Sequence, residues 1–264
     1  MTAELIDICF NFTHSAFRDD EQEVLDRAIE AGVIRLMVTG SSASESRYCI
    51  ELAERYPQTL YATAGVHPHL SKDWGAQTLE QLREMAGHER VKAIGEAGLD
   101  YNRNYSPPDA QRFAFERQIE LACELEMPLF LHERDAHEDF VSILDPYRKE
   151  LSNVVVHCFT GTGEQLDAYL NMDLHIGITG WICDERRGQH LQELVKRIPL
   201  NRLMLETDAP YLVPRDINPP PKGRRNEPAY LPHVLNTVAR CVGLDAASVA
   251  ASTTSTARRF YHLD

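Results

Sequence analysis

No Cys-x-x-Cys pair occurs in the 264 residues. The six cysteines, Cys9, Cys49, Cys123, Cys158, Cys183 and Cys241, are scattered, which argues against a zinc knuckle and for reduced thiols over a disulfide framework. Positive charge is also scarce. Twenty-seven Lys and Arg stand against 40 Asp and Glu, a formal net charge of -13, which weighs against a protein that coats long stretches of nucleic acid and leaves room for binding a short polynucleotide end. No apolar run approaches the ~20 residues of a membrane span. Glu4 and Asp7 interrupt the first apolar run, so neither a signal peptide nor a membrane partner is expected, and a cytoplasmic location is; a monomer is also expected. Beyond Pro219-Pro220-Pro221 there is no low-complexity tract, and no internal repeat.

What is present reads as an ordinary globular chain, 43% hydrophobic and 25% charged. Short apolar strand patterns lie at residues 5–11, 34–39, 60–65, 91–96, 128–132, 153–157, 174–179 and 203–206. Helical patterns alternate with them at 20–31, 44–56, 78–86, 107–126, 136–144, 163–172 and 189–198, and two more follow at 231–242 and 246–260. A proline- and arginine-rich loop at 214–228 separates the last strand from those final helices. This alternation, at this length, predicts an α/β fold, a TIM-type (β/α)8 barrel forming one domain over residues 1–264.

The ends of the predicted strands carry Asp7, Cys9 and Asn11, then Ser41, His67 and His69, Glu96, His132, His157, Thr179, and Glu206 with Asp208. Nearly every one is polar, and in such a barrel they fall on the C-terminal face, where active sites are built. Glu96 is the centre of this reading. It closes the apolar stretch Val91-Lys92-Ala93-Ile94-Gly95, where an unpaired carboxylate is expensive and a cation is required. Read alone, Glu96 could equally accept backbone amides at a turn, and His132 or His157 could be a satisfied core histidine. Carboxylates and imidazoles on four separate strand ends point instead to a divalent-metal site. Glu206 shares a side with Asp208 only if its strand runs that far. Phe159-Thr160-Gly161-Thr162-Gly163 is either an amide-rich turn that holds a phosphate or an ordinary strand-to-helix turn. Arg215, Arg224 and Arg225 either face a polynucleotide or line a solvated loop, and Tyr101 and Trp181 either stack bases or pack.

Six segments together carry a resemblance: Gly95-Glu96-Ala97-Gly98-Leu99-Asp100, Gly65-Val66-His67-Pro68-His69, His132-Glu133-Arg134-Asp135-Ala136, His157-Cys158-Phe159-Thr160-Gly161, Glu206-Thr207-Asp208-Ala209-Pro210-Tyr211 and Arg225-Asn226-Glu227-Pro228. In this order they resemble the TatD family of metal-dependent deoxyribonucleases, from Asp7 nearly to the C-terminus. The resemblance implies a barrel of the metal-dependent hydrolase, amidohydrolase-like kind. It also implies 3′-5′ exonucleolytic hydrolysis of single-stranded DNA, with RNA as a further substrate, and a role in DNA repair or nucleic-acid turnover. Carried over to this chain, it implies metal ligands Glu96, His132, His157 and Asp208 and catalytic roles for Asp208, His67 and Glu206. Substrate contacts are expected from His69, Thr160, Arg224 and Arg225. The cofactor is expected to be one or two divalent ions, Mg2+ first, with Mn2+ or Zn2+ as alternatives.

One departure stands out. Most of the family opens with Asp-x-His-x-His on the first strand, whereas Asp7 is followed here by Cys9 and Asn11, which puts a tightly bound dinuclear centre in doubt. A thiol suits Mg2+ poorly, so Cys9 is taken as a packing residue. Two rivals remain: a metallo-hydrolase of small amides or esters on the same barrel, and a metal-free nucleic-acid-binding or scaffold barrel.

Overall fold

The computed structural model describes residues 3–263. Eight strands are hydrogen-bonded in sequence order into one sheet: β1 (Leu5–Phe10), β2 (Val33–Val38), β3 (Leu60–Ala64), β4 (Val91–Asp100), β5 (Leu129–Arg134), β6 (Val154–Val156), β7 (His175–Ile178) and β8 (Leu203–Leu205). The helices between and after them are α1 (Glu21–Glu30), α2 (Ala43–Arg55), α3 (Thr78–Ala86), α4 (Pro108–Glu124), α5 (His137–Leu144), α6 (Gly163–Asn171), α7 (Gln189–Leu194), α8 (Leu231–Val242) and α9 (Ala246–Tyr261). Parallel pairing of consecutive strands with a helix after each is the (β/α)8 order expected from the sequence. Every residue of β1 and β6 is buried, as strands covered on both faces must be.

By its contacts the chain divides into two compact units. One comprises Met1–Val38, Cys158–Leu166 and Ile176–Asp264, and the other Thr39–His157 and Asp167–His175. In the first, β1 meets the segment after β8: the amides of Asp208 and Asn11 donate to the carbonyls of Cys9 and Ala209 at 3.0 and 2.9 Å. In the second, β4 is the longest strand and pairs with β3 on one side and β5 on the other.

Strand β4 runs four residues beyond the expected end at Glu96, and β5 runs two beyond His132. Glu96 and His132 are therefore interior to their strands. The cause of the underestimate is Ala97-Gly98, which reads as a turn. Gly98 instead sits opposite His132 in the ladder at φ +133°, and a Cβ built there would collide with the His132 carbonyl oxygen. Only glycine fits a backbone that close in that conformation.

Two buried amides of α4 fix the chain around this strand. Gln118 accepts from the Val66 amide at 2.7 Å and donates to the Val66 carbonyl at 3.0 Å. Gln111 accepts from the Asp100 amide at 2.8 Å and donates to the carbonyls of Asp100 and Ser106 at 3.1 and 2.8 Å. Each is fully buried, so each replaces ladder bonds that the strand ends would otherwise lack.

In the first unit, Arg225 binds Asp20 through two parallel bonds of 2.8 and 2.6 Å, Glu227 at 2.6 Å and the Ala16 carbonyl at 2.6 Å, and it lies over the Phe17 ring at 5.1 Å. Arg27 shares both carboxylates, at 3.1 Å to Asp20 and 2.7 Å to Glu227. The hydrogen bond from Arg225 is the main reason the Asp20 carboxyl lies below the usual carboxylate range.

Two outcomes follow. Gly98→Ala should lower stability by roughly 2–4 kcal/mol or displace β5, because strain and overlap coincide; chemical denaturation followed by circular dichroism measures it. Arg225→Ala should cost roughly 1–3 kcal/mol at neutral pH. A depressed carboxyl stabilises the fold above its unfolded pKa and loses that contribution as pH falls through the folded value. The difference between wild type and Arg225→Ala should therefore narrow below about pH 4, as read from denaturation midpoints across pH.

Candidate metal centre

Glu96 is 6% exposed, and one of its oxygens, Oε1, is shared by three imidazoles. His157 Nε2 lies at 2.8 Å, His132 Nδ1 at 3.1 Å and His67 Nε2 at 3.3 Å. Burial pushes the Glu96 carboxyl up, but the charges of His67 and His157 and the hydrogen bonds of His132 and His157 outweigh it and hold the group well below the usual carboxylate range. The residue is an anion among nitrogens.

Each imidazole is oriented by a second contact. The His69 amide donates to His67 Nδ1 at 3.0 Å, so the proton of a neutral His67 ring sits on Nε2, facing Glu96. Burial keeps that ring's pKa low. His157 stacks on Phe130 at 4.8 Å. His132 lies between two carboxylates, with Nε2 3.4 Å from Asp100 Oδ2. Burial lowers its pKa, but the bonds to Asp100 and Glu96 more than reverse this. Asp100 also takes His69 Nε2 at 2.7 Å and the Arg103 amide at 2.8 Å. Burial raises its carboxyl and these bonds, led by His132 and His69, drive it far down.

Asp100 is a site residue that the sequence reading left out. A signal existed: Glu96, Gly98 and Asp100 are two apart, so a strand continuing through them puts both carboxylates on one face, with the glycine opposite His132 between them. The expected length of the strand hid it.

Asp208, in the other unit, is held by the residues that replace the strand-one histidines. Asn11 Nδ2 donates to Asp208 Oδ1 at 2.9 Å and the Cys9 thiol lies 3.5 Å from the same oxygen. Cys9 is buried, as a packing residue should be, and it also touches this carboxylate. Behind them Asp7 is fully buried and accepts from the amides of Thr207 at 2.9 Å and Cys9 at 3.2 Å, and from the Thr207 hydroxyl. Burial lifts the Asp7 carboxyl to about 7 against the pull of those bonds. Asn226 closes the turn after Asp208, donating to the carbonyls of Thr207 and Tyr211 at 2.9 and 2.6 Å.

Three expected site residues have other attachments. Glu206 is fully buried and accepts from the Cys158 amide, so it braces the turn after β6. The turn at Thr160 leads into a helix cap: the Thr162 amide donates to Gln165 Oε1 at 2.7 Å and the Gln165 amide to Thr162 Oγ1 at 3.3 Å. That reciprocal pair consumes one of the amides that a phosphate would need. The Thr160 carbonyl faces His190 Nε2 at 3.2 Å. Arg225 is committed to Asp20 and Glu227, whereas Arg224 is exposed.

The donor set fits a divalent ion. Ligating atoms of His67, Glu96 and His132 all lie within 4.8 Å of one another. One carboxylate oxygen cannot be an ideal partner for three imidazoles at once, whereas a cation taken up by Glu96, His132 and His157 would leave His67 as the one imidazole donating to Glu96. Imidazole nitrogens favour an ion such as Zn2+, and the carboxylate oxygen also suits Mn2+ or Mg2+.

The chain is 50% identical over 259 residues to the 3′-5′ ssDNA/RNA exonuclease TatD of Erwinia tasmaniensis, covering 98% of this chain and 100% of that one. It is 49% identical over 257 residues to the protein of the same name from Escherichia fergusonii, covering 97% and 98%. Among solved structures, the TatD homologue YjjV of Escherichia coli superposes with a TM-score of 0.90 at 27% identity, over the whole of both chains. The phosphotriesterase homology protein of Escherichia coli, at 14% identity and a TM-score of 0.65 over 99% of each chain, shares the fold. The model of the TatD related DNase family matches residues 6–262, and the chain belongs to that family.

Proposed function

We propose that this protein is a metal-dependent 3′-5′ exonuclease that hydrolyses phosphodiester bonds of single-stranded DNA and RNA. The observation that carries this reading is the Glu96 oxygen surrounded by three imidazoles, in a chain half identical over nearly its full length to exonucleases of that specificity. The reading extends to Mg2+ as the working ion, to a cytoplasmic monomer and to a part in DNA repair or turnover.

Glu96, His132 and His157 would hold the ion, with His67 directing its Nε2 proton at Glu96 and His69 engaged with Asp100. When bound, the ion supplies Lewis-acid polarisation of the phosphoryl group. The family motif assigns Asp208 as a further ligand or as the base that takes a proton from the attacking water. Its carboxylate suits that task because Asn11 fixes one oxygen and Asn226 locks the turn behind it. The Glu96–His132–Asp100 chain keeps both carboxylates ionised and the imidazole between them fixed. The small-amide hydrolases are disfavoured by the absence of a strand-end lysine.

Glu96→Ala and His157→Ala should each lower turnover at least about a hundredfold, with the circular dichroism spectrum unchanged. The assay uses 3′- and 5′-labelled single strands with Mg2+, Mn2+ or Zn2+ and a chelator control. Activity that survives chelation, or near-wild-type turnover of both variants, would overturn the metal reading.

A second outcome concerns metal count. With Cys9 and Asn11 in place of a histidine pair, the free protein should retain one ion after dialysis, and a second should enter with substrate, since Mg2+ binds through sparse carboxylates and phosphate oxygens. Cys9→His with Asn11→His should raise the Zn2+ or Mn2+ retained without DNA, as measured by elemental analysis. Two ions already retained by the unmodified protein would disprove it.

A further inference from the structure

A cavity of about 800 Å3 opens beside the turn that follows Asp208, lined from the loop after β7 and from the proline-rich segment after β8. Its walls include Trp181, Tyr211 and four arginines, Arg186, Arg187, Arg215 and Arg224, against two acids, Asp184 and Glu185. Such an excess of positive charge is unusual in a chain of net charge -13.

The arginines are of two kinds. Asp184 is buried and fixes two of them by the same oxygen, Arg187 at 3.2 Å and Arg215 at 3.0 Å, while its other oxygen accepts the amides of Arg186 and Arg187 at 3.0 and 3.3 Å. The Arg187 guanidinium, so held, lies over the Trp181 ring at 4.4 Å, with the Arg187 side chain still 59% exposed. Arg186 and Arg224 are exposed and form no ion pair among the described residues. One pair of side chains thus makes a rigid planar stack, and another offers free cations.

A planar stack held open to solvent suits a nucleobase, which stacks on aromatic rings and on guanidinium planes alike. Free arginines beside it suit phosphate, which they bind in forked pairs. Tyr211, which also lines the cavity, is 52% exposed and bonded through its amide to the Asp208 carbonyl at 3.0 Å, which ties the cavity wall to the Asp208 turn. We infer that this cavity binds a nucleotide of the single-stranded substrate, its base on the Trp181–Arg187 stack and its flanking phosphates on Arg186 and Arg224. The inference rests on the exonuclease reading and adds the path of the strand. Because stacking tolerates every base, the cavity secures grip without sequence preference.

The chain has two tryptophans, so Trp74→Phe leaves Trp181 as the sole reporter. The full-length Trp74→Phe protein, kept in chelator so that nothing is cut, is titrated with an eight-nucleotide oligothymidylate carrying a 5′ fluorescein. Saturable quenching of Trp181 emission is expected, with the same Kd as the fluorescein anisotropy reports. Arg186→Ala with Arg224→Ala should raise Kd about tenfold or more and reduce the slope of log Kd against log salt by about 1.4, that is 0.7 for each of two lost phosphate contacts. Arg187→Lys keeps the charge but not the plane, and should leave the salt slope intact while weakening binding and quenching. Oligonucleotide binding that leaves Trp181 emission unchanged, with an unaltered salt slope in the double variant, would overturn the inference while leaving the exonuclease reading intact. A wild-type protein that binds but releases no nucleotide when metal is restored would overturn the exonuclease reading, with the quenching still reporting on the cavity.

Discussion

A carboxylate buried at Glu96 is the constraint on which the surrounding structure depends. An isolated charge in that position would cost several kcal/mol, so the chain must bring cationic or metal-binding partners to it. Three imidazoles meet one oxygen, and the elements that deliver them are built for accuracy. The buried amide of Gln118 clamps Val66 beside His67, Gly98 lets β4 approach the His132 backbone, and Phe130 supports the His157 ring. Among the described residues, none of these is hydrogen-bonded to the Glu96 carboxylate. Their common effect is to remove slack from the groups that are, which is what a metal site requires of its supporting residues.

A parallel logic holds Asp208. Its turn is closed by Asn226 and its carboxylate is gripped by Asn11, while the neighbouring Asp7, fully buried, is spent on the Thr207 and Cys9 amides. The Arg-Asn-Glu-Pro segment therefore works as a structural lock. Arg225 and Glu227 anchor it to Asp20 and Arg27, and Asn226 reaches inward from that anchor. Positions far apart in sequence are thereby coupled to one carboxylate.

The alternation of elements and the polar strand ends were legible because parallel strands read as short apolar runs and glycine, proline and caps punctuate the helices. Glu96, His132 and His157 were legible for the same reason: polar residues adjoining apolar strands are conspicuous. Asp100 was not, because Ala97-Gly98 imitates a turn, and only the ladder with β5 shows that the strand continues. Arg225 and Thr160 were less legible for a different reason. A sequence gives the charge of an arginine or the amide content of a turn, but not whether Asp20 or Gln165 has already claimed it. Glu206 and Cys158 pair across 48 residues, a separation that local pattern cannot register.

The same distinction explains how an acidic chain can handle a polyanion. Total charge sets the average field, and at -13 it is repulsive to a polynucleotide, but salt screens that repulsion beyond about a Debye length. Contact is decided by the charges left after internal pairing. Arg225 is neutralised within its own network and contributes structure. Arg187 and Arg215 divide one aspartate between them, so the trio retains a positive charge in a fixed orientation.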